Sequence, residues 1–217
     1  MSLRRFADVH RDDSYSNRNR ARRFARFESL LSAIEEPVRI LDVGGTNSFW
    51  EQRGYAGRDE VRIFTANISA EEQLHSNITP IEMDASHLDF ADDSFDIVFS
   101  NSVIEHLRTR DAQEAMAGEV RRLAPRYWVQ TPNYWFPVEP HFLTPGWQYL
   151  PEDVRVWLLR RRRFGWRGPC PDRARARDLV REVRLLRRRE IVEMFPDAEL
   201  ITERFGPLAK SFVAVRA

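Results

Sequence analysis

The sequence predicts a single α/β domain: a mostly parallel sheet of seven strands, closed by a C-terminal antiparallel hairpin and covered by helices on both faces. Three observations predict it. Short runs of branched apolar residues alternate with helical stripes over residues 16–130, the pattern of parallel strands joined by crossover helices. The first such run ends in an acidic residue and breaks into Gly44-Gly45. Near the end of the chain, two extended runs are separated at Gly206-Pro207-Leu208, a spacing suited to a hairpin. At 217 residues one domain spanning 1–217 can bury most of its apolar surface, and no second domain is required.

Taken in order, Ala21, Phe24, Phe27, Leu30, Leu31 and Ile34 recur at three and four, which predicts a helix over 16–34 capped by Ser14 or Ser16 and ended by Pro37. Residues 1–36 are thus an N-terminal helical segment leading into the sheet. Strands are predicted at 38–43, 61–66, 78–83, 95–100 and 126–130, with a polar stretch around Phe49-Trp50-Glu51-Gln52. Helices are expected between most of the strands, most clearly at 110–123 through Ala112, Ala115, Met116 and Val120. Residues 198–205 and 211–216 supply the hairpin. Residues 134–190 interrupt the scheme with prolines, aromatics and arginine runs, too long for an ordinary connection, and are read as a substrate-facing insertion or lid.

Composition narrows the class. No uncharged stretch approaches the ~20 apolar residues needed to span a bilayer. The basic start is followed by Asp8, Asp12 and Asp13 rather than by an apolar signal core, so secretion is not expected. The lone Cys170 cannot form an internal disulfide, which fits a reducing cytoplasm. Of 34 basic residues only Lys210 is lysine, a bias expected of a GC-rich bacterial genome. Net charge is +5 over residues 1–27, −13 over 28–119 and +9 over 120–217. The acidic middle argues against a nucleic-acid groove there, although the basic C-terminal part can meet phosphates.

A strand that ends in Asp42 and turns through Gly44 and Gly45 lets backbone approach a ligand, and the next helix offers free amides at its N-terminus. Here the chain resembles the class I S-adenosylmethionine-dependent methyltransferases, whose first motif reads acidic-x-Gly-x-Gly-x-Gly; the resemblance covers nearly all of 36–133. It implies a Rossmann-like fold, S-adenosylmethionine as cofactor, and contacts to it from Asp42, Gly44, Gly45 and Thr46. Two motif glycines fall on Thr46 and Ser48, which have less access to positive φ. Asn67 stands where the family places the acidic residue that holds the ribose hydroxyls; its alternative role is to cap a following helix. Asp84-Ala85 resembles the family pair that reads adenine, Asp84 as a helix cap being the plain alternative. Residues 89–98 match the loop and fourth strand, and Asn101 would line the methionine side of the pocket.

Glu105-His106 resembles a pair that, in small-RNA 2′-O-methyltransferases, joins a second Glu and a distant His to hold a divalent cation. The first Glu of that pattern falls on Ser102, so no metal is expected and Glu105 is read as a buttress. After strand five ends in Gln130-Thr131-Pro132-Asn133, residues 134–142 resemble a signature of bacterial methyltransferases encoded beside sugar-modifying enzymes. Ligands of open α/β sheets bind at the carboxyl edge, so His141 and Glu139, with His106, are the candidates for orienting or deprotonating an acceptor, a satisfied buried histidine being the alternative. Over 154–166 aromatics mix with arginines, which suits peripheral membrane contact, a phosphate-binding lid, or an amphipathic cover over the substrate cavity.

The expected activity is methyl transfer from S-adenosylmethionine to a small-molecule or glycan acceptor, at a hydroxyl oxygen. Two alternatives stand beside it: a methyltransferase-like binding protein, since Thr46, Ser48 and Asn67 each weaken a cofactor contact, and a metal-assisted 2′-O-methyltransferase of a nucleotide-containing substrate. A Rossmann dehydrogenase is disfavoured by its different strand order and its lack of such a terminal hairpin.

Overall fold

The computed structural model describes residues 15–165 and 167–217. The expected cap Ser14 and the Trp166 end of the arginine-aromatic segment lie outside the described residues. Helix α1 (Tyr15–Leu31) leads into β1 (Val38–Val43) and the short α2 (Asn47–Gln52). Then follow β2 (Val61–Asn67), β3 (Ile78–Glu82) and β4 (Ile97–Asn101). A 3-10 turn at Ile104–His106, α3 (Arg110–Leu123) and β5 (Arg126–Pro132) come next. After the insertion, α6 (Arg188–Met194) precedes the hairpin of β8 (Glu199–Phe205) and β9 (Leu208–Arg216).

The sheet runs β3-β2-β1-β4-β5-β9-β8. The first five strands are parallel and β9 is antiparallel to both β5 and β8. The chain builds outward from β1 through β2 to β3, then returns to lay β4 on the other side of β1. That reversal opens a crevice at the carboxyl ends of β1 and β4, where open α/β sheets take ligands.

Alternation of side chains across the pleat explains the two cores. Leu41, Val43, Val98 and Val129 face Met116, Val120, Leu123 and Ile191 of α3 and α6. Ile40, Ile63, Ile97, Phe99 and Trp128 face Phe24 and Phe27 of α1 and Trp50 of α2. Helices therefore cover both faces, as predicted, and β1 is buried at every position but Arg39, with Asp42 its one buried polar side chain.

Several local expectations are corrected. Helix α1 stops at Leu31, not at Pro37, and Ser16 lies inside the helix. The stretch read as polar is α2, with Trp50 wholly buried. No helix stands between β2 and β3 or between β3 and β4 among the described residues. In the first loop Asn67 Oδ1 takes the Ile68 amide and Gln73 Nε2 the His75 carbonyl, and in the second the Asp84 carboxylate closes a turn on Ser86, so side chains occupy backbone groups a helix would need. Phe95, expected to begin strand four, donates its amide to the Leu123 carbonyl, and the strand begins at Ile97.

The insertion contains the hairpin β6 (Val138–Glu139) and β7 (Thr144–Pro145), then α4 (Glu152–Leu159) and α5 (Arg173–Arg181). It has a small core of its own, formed by Phe142, Trp147, Val156, Leu159, Ala176 and Val180, with Cys170 buried at its edge. Among the described residues no helix is long and apolar enough to cross a membrane.

Within α3, Gly118 is exposed, and an added Cβ meets nothing within 4 Å. Gly118→Ala is expected to raise stability by ~0.5–1 kcal/mol, read as a higher denaturant midpoint at unchanged slope. A lower midpoint would mean that this face of α3 is covered.

Candidate active site

The glycine turn is tight for internal reasons. Gly44 has φ +79° and donates its amide to the Ala66 carbonyl at 2.7 Å, which ties the turn to β2. A Cβ on Gly44 would lie 2.4 Å from Val103, and one on Gly45 only 2.2 Å from the Asp42 carboxylate. Asp42 is buried beneath the turn and accepts from Trp50 Nε1 at 2.8 Å. Burial raises its pKa to about 8, against a smaller opposing effect of the Trp50 hydrogen bond.

Thr46 and Ser48 are not glycine substitutes in this geometry. Thr46 is the N-cap of α2, with an extended φ of −136° that any residue adopts, and it accepts from Phe49 N. One amide expected to be free for a ligand is already engaged: Asn47 N donates to Glu71 at 2.6 Å. Glu71 has no counterpart in the sequence reading, because the loop carrying it was expected to be helical.

The other expected cofactor residues line the same carboxyl edge. Asn67 ends β2, accepts from Ile68 N at 3.0 Å and approaches the Gly45 carbonyl through Nδ2 at 3.5 Å. The Met83 amide donates to the Asn67 carbonyl, which brings Asp84 and Ala85 alongside. Asp84 is exposed and accepts from both the amide and the hydroxyl of Ser86, and these bonds lower its pKa. No helix follows it for it to cap. These residues fit an adenosyl group by position: a positive-φ glycine turn between β1 and β2, an amide side chain at the end of β2, and a carboxylate after β3.

Asn101, at the end of β4, accepts from the Arg23 guanidinium at 2.5 Å, and Arg23 also makes paired hydrogen bonds to Glu203 at 2.8 and 2.6 Å. Arg23 thus clamps α1 across the crevice edge to β4 and β8. The signal was a charged residue one turn before Phe27 on the buried side of the helical stripe. Arg23→Met is expected to cost ~3 kcal/mol, because Glu203 would be left enclosed without its partner. Chemical denaturation reads this, and a loss below ~1 kcal/mol would mean that solvent reaches the pair.

Beyond β4 the chain passes through Ser102, a non-glycine residue at φ +62° whose amide and hydroxyl both donate to Gln130. Val103 then lies over Gly44, and the 3-10 turn presents Glu105 and His106. The insertion hairpin carries Glu139 and His141 to the same place: the His106 and His141 rings are 4.8 Å apart, edge to face. His141 Nδ1 donates to Glu139 Oε1 at 2.6 Å, while Glu139 Oε2 accepts from the Phe142 amide at 2.6 Å. Burial alone would lower the His141 pKa, but the hydrogen bond and charge of Glu139, helped by Glu105, outweigh it and raise it.

Glu105 is fully buried, accepts from Thr131 at 3.0 Å through Oε2, and has no hydrogen-bond partner for Oε1. Burial pushes its pKa up to about 7. Partial burial of the His106 ring, then the charges of His141 and Arg167, hold that imidazole near 4. Ligand-capable atoms of Glu105, His106 and His141 all lie within 4.8 Å of one another. The site can therefore hold a proton in several positions, and it can also present three donors to a cation.

Residues 57–126 match the family model described as a methyltransferase domain. No curated protein sequence matches the chain. Among solved structures, a possible exported protein from Bordetella parapertussis is 13% identical with a TM-score of 0.54, covering 91% of this chain and 68% of that one. The 1,6-didemethyltoxoflavin-N1-methyltransferase of Burkholderia thailandensis, solved with its substrate and S-adenosylhomocysteine, is 15% identical with a TM-score of 0.51, covering 88% and 74%. A chain of the Haloferax volcanii complex between the Trm112 methyltransferase activator and a methyltransferase is 15% identical with a TM-score of 0.50, covering 99% and 96%. These structural likenesses establish the fold.

Proposed function

We propose that this chain, a class I methyltransferase in fold and in the match of its residues 57–126, transfers a methyl group from S-adenosylmethionine to a hydroxyl of a small-molecule or saccharide acceptor. The observation that carries the oxygen assignment is the Glu139–His141 pair, set beside His106 at the carboxyl edge of the sheet. Glu139 fixes Nδ1 as the donor nitrogen, so Nε2 is the atom that takes a proton from an acceptor hydroxyl. Bound S-adenosylmethionine supplies a sulfonium-activated methyl group, which leaves little covalent work to the protein. Holding the acceptor in line accounts for ~7–11 kcal/mol of barrier lowering, and the base adds ~10²–10⁴-fold.

In this reading Gly44, Gly45 and Thr46 form the cofactor turn, Asn67 meets the ribose, Asp84 and Ala85 meet the adenine, and Asn101 faces the methionine end. Asp42 acts from below, by supporting the turn. Incubation with methyl-labelled S-adenosylmethionine and matched panels of hydroxylated and aminated acceptors tests the proposal. Label on oxygen supports it, and label only on nitrogen overturns the assignment.

One observation favours a second reading of the same cluster. Glu105, His106 and His141 each offer one ligand atom within 4.8 Å of the others, and Glu105 Oε1 has no hydrogen-bond partner, so the three are arranged to hold a divalent cation. Two imidazoles and one carboxylate suit zinc or manganese better than magnesium or calcium. Activity lost on chelation and restored by zinc or manganese would select this reading over a metal-free base.

A further inference from the structure

The insertion carries positive charge that the proposed chemistry does not use. Residues 134–187 hold twelve arginines against six acidic residues. The acidic first turn of α4 is already neutralised from α5: Glu152 pairs with Arg177 and Arg181, and Asp153 with Arg177. Glu182 likewise takes Arg167.

The surplus collects where α4 ends. Arg160, Arg161, Arg162 and Arg163 are consecutive and all exposed. None of the four forms an ion pair among the described residues. Their hydrogen bonds go to neutral carbonyls, Arg160 Nε to that of Pro171 at 2.8 Å and an Arg161 amino group to that of Trp157 at 3.2 Å. Four adjacent cations repel one another unless an anionic surface meets them.

The same helix exposes apolar side chains beside that charge. Val156 and Leu159 are buried in the core of the insertion, whereas Val154 and Trp157, three residues apart and so on one face, are 40% and 52% exposed. One turn after Trp157, the Arg161 guanidinium lies over the indole, 4.4 Å from the ring centroid. An exposed indole carrying a cation suits the boundary between lipid headgroups and acyl chains, where the ring is withdrawn from water while the charge stays at the phosphates.

We propose that residues 154–163 dock peripherally on an anionic membrane surface, with Val154 and Trp157 entering the interface and Arg160–Arg163 meeting the headgroups. Charge alone would serve any polyanion. The exposed Val154 and Trp157 favour lipid, because a soluble polyanion such as RNA withdraws no aliphatic side chain from water. The inference goes beyond the methyl-transfer reading and does not depend on it.

Co-sedimentation of the full chain with vesicles tests it, comparing phosphatidylcholine alone with phosphatidylcholine containing roughly one-third phosphatidylserine. Binding to the anionic vesicles is expected to be about tenfold or more stronger at low salt, and to weaken as salt is added. Arg160→Gln, Arg161→Gln, Arg162→Gln and Arg163→Gln combined should remove the preference for the anionic vesicles. Trp157→Ala should weaken binding to them about tenfold, at low and at high salt alike. All five positions are exposed, so the denaturation midpoint of each variant should stay near that of the wild type. No binding to either vesicle, equal binding to both, or a preference that survives the four arginine substitutions would overturn the proposal. Heparin bound as tightly as the anionic vesicles, with Trp157→Ala affecting neither, would also overturn it, by showing a polyanion site without lipid insertion.

Discussion

His141→Ala is expected to lower kcat by ~10²–10⁴ while S-adenosylhomocysteine binds as to the wild type. The imidazole is oriented by one short bond to Glu139, whose other oxygen is fixed by the Phe142 amide, so its position is set before an acceptor arrives. None of the residues proposed to hold the cofactor touches His141, which is why the loss should fall on turnover. Glu139→Gln keeps an acceptor for Nδ1 but removes the charge that holds the His141 pKa up, so an intermediate loss of ~10-fold is expected. Steady-state rates at saturating cofactor separate these outcomes. Turnover that survives His141→Ala would remove the base assignment.

The second large effect belongs to Gly45. Its substitution by alanine places a Cβ 2.2 Å from an Asp42 oxygen that is itself fixed by Trp50 Nε1 in a fully buried setting. Neither the strand end nor the indole can yield without disturbing the aromatic cluster of Phe24, Phe49, Trp50 and Phe99. The turn has to move instead. A loss of ~2–3 kcal/mol of stability is expected, together with at least ~10-fold weaker S-adenosylhomocysteine binding. A Gly45→Ala protein with wild-type denaturation and affinity would show that the turn has slack and does not set the cofactor position.

Features of this fold that depend on local pattern were legible in the sequence. Strand β1 reads as a run rich in branched apolar residues because nearly all of it is buried, and α3 shows its apolar spacing directly. The turn between β8 and β9 is announced by Gly206-Pro207-Leu208, although β9 already begins at Leu208 rather than at 211. Features that depend on distant partners were not legible. Trp50 stands beside Glu51 and Gln52 in a stretch that reads as polar, and its burial against Phe24, Phe27 and Phe99 depends on partners distant in sequence. The absent helices after β2 and β3 reflect side chains of Asn67, Gln73 and Asp84 that bond local backbone in place of a helical ladder.

Within the site, each of Glu105, His106, Glu139 and His141 was identifiable by type, but their convergence was not. It depends on how the insertion hairpin folds back over the 3-10 turn, and sequence separation carries no record of that. Arg23 likewise becomes visible as a clamp only once the elements are assembled.

The central claim is that the carboxyl edge of β1, β2 and β4 binds an adenosyl cofactor despite Thr46, Ser48 and Asn67. Thermal unfolding with and without S-adenosylhomocysteine tests it most directly. At ~100 times the dissociation constant the ligand should stabilise the protein by ~2.7 kcal/mol, a rise in Tm of several degrees for a chain of this size, and Gly45→Ala should lose most of that rise. An unchanged wild-type Tm across millimolar S-adenosylhomocysteine would contradict the account.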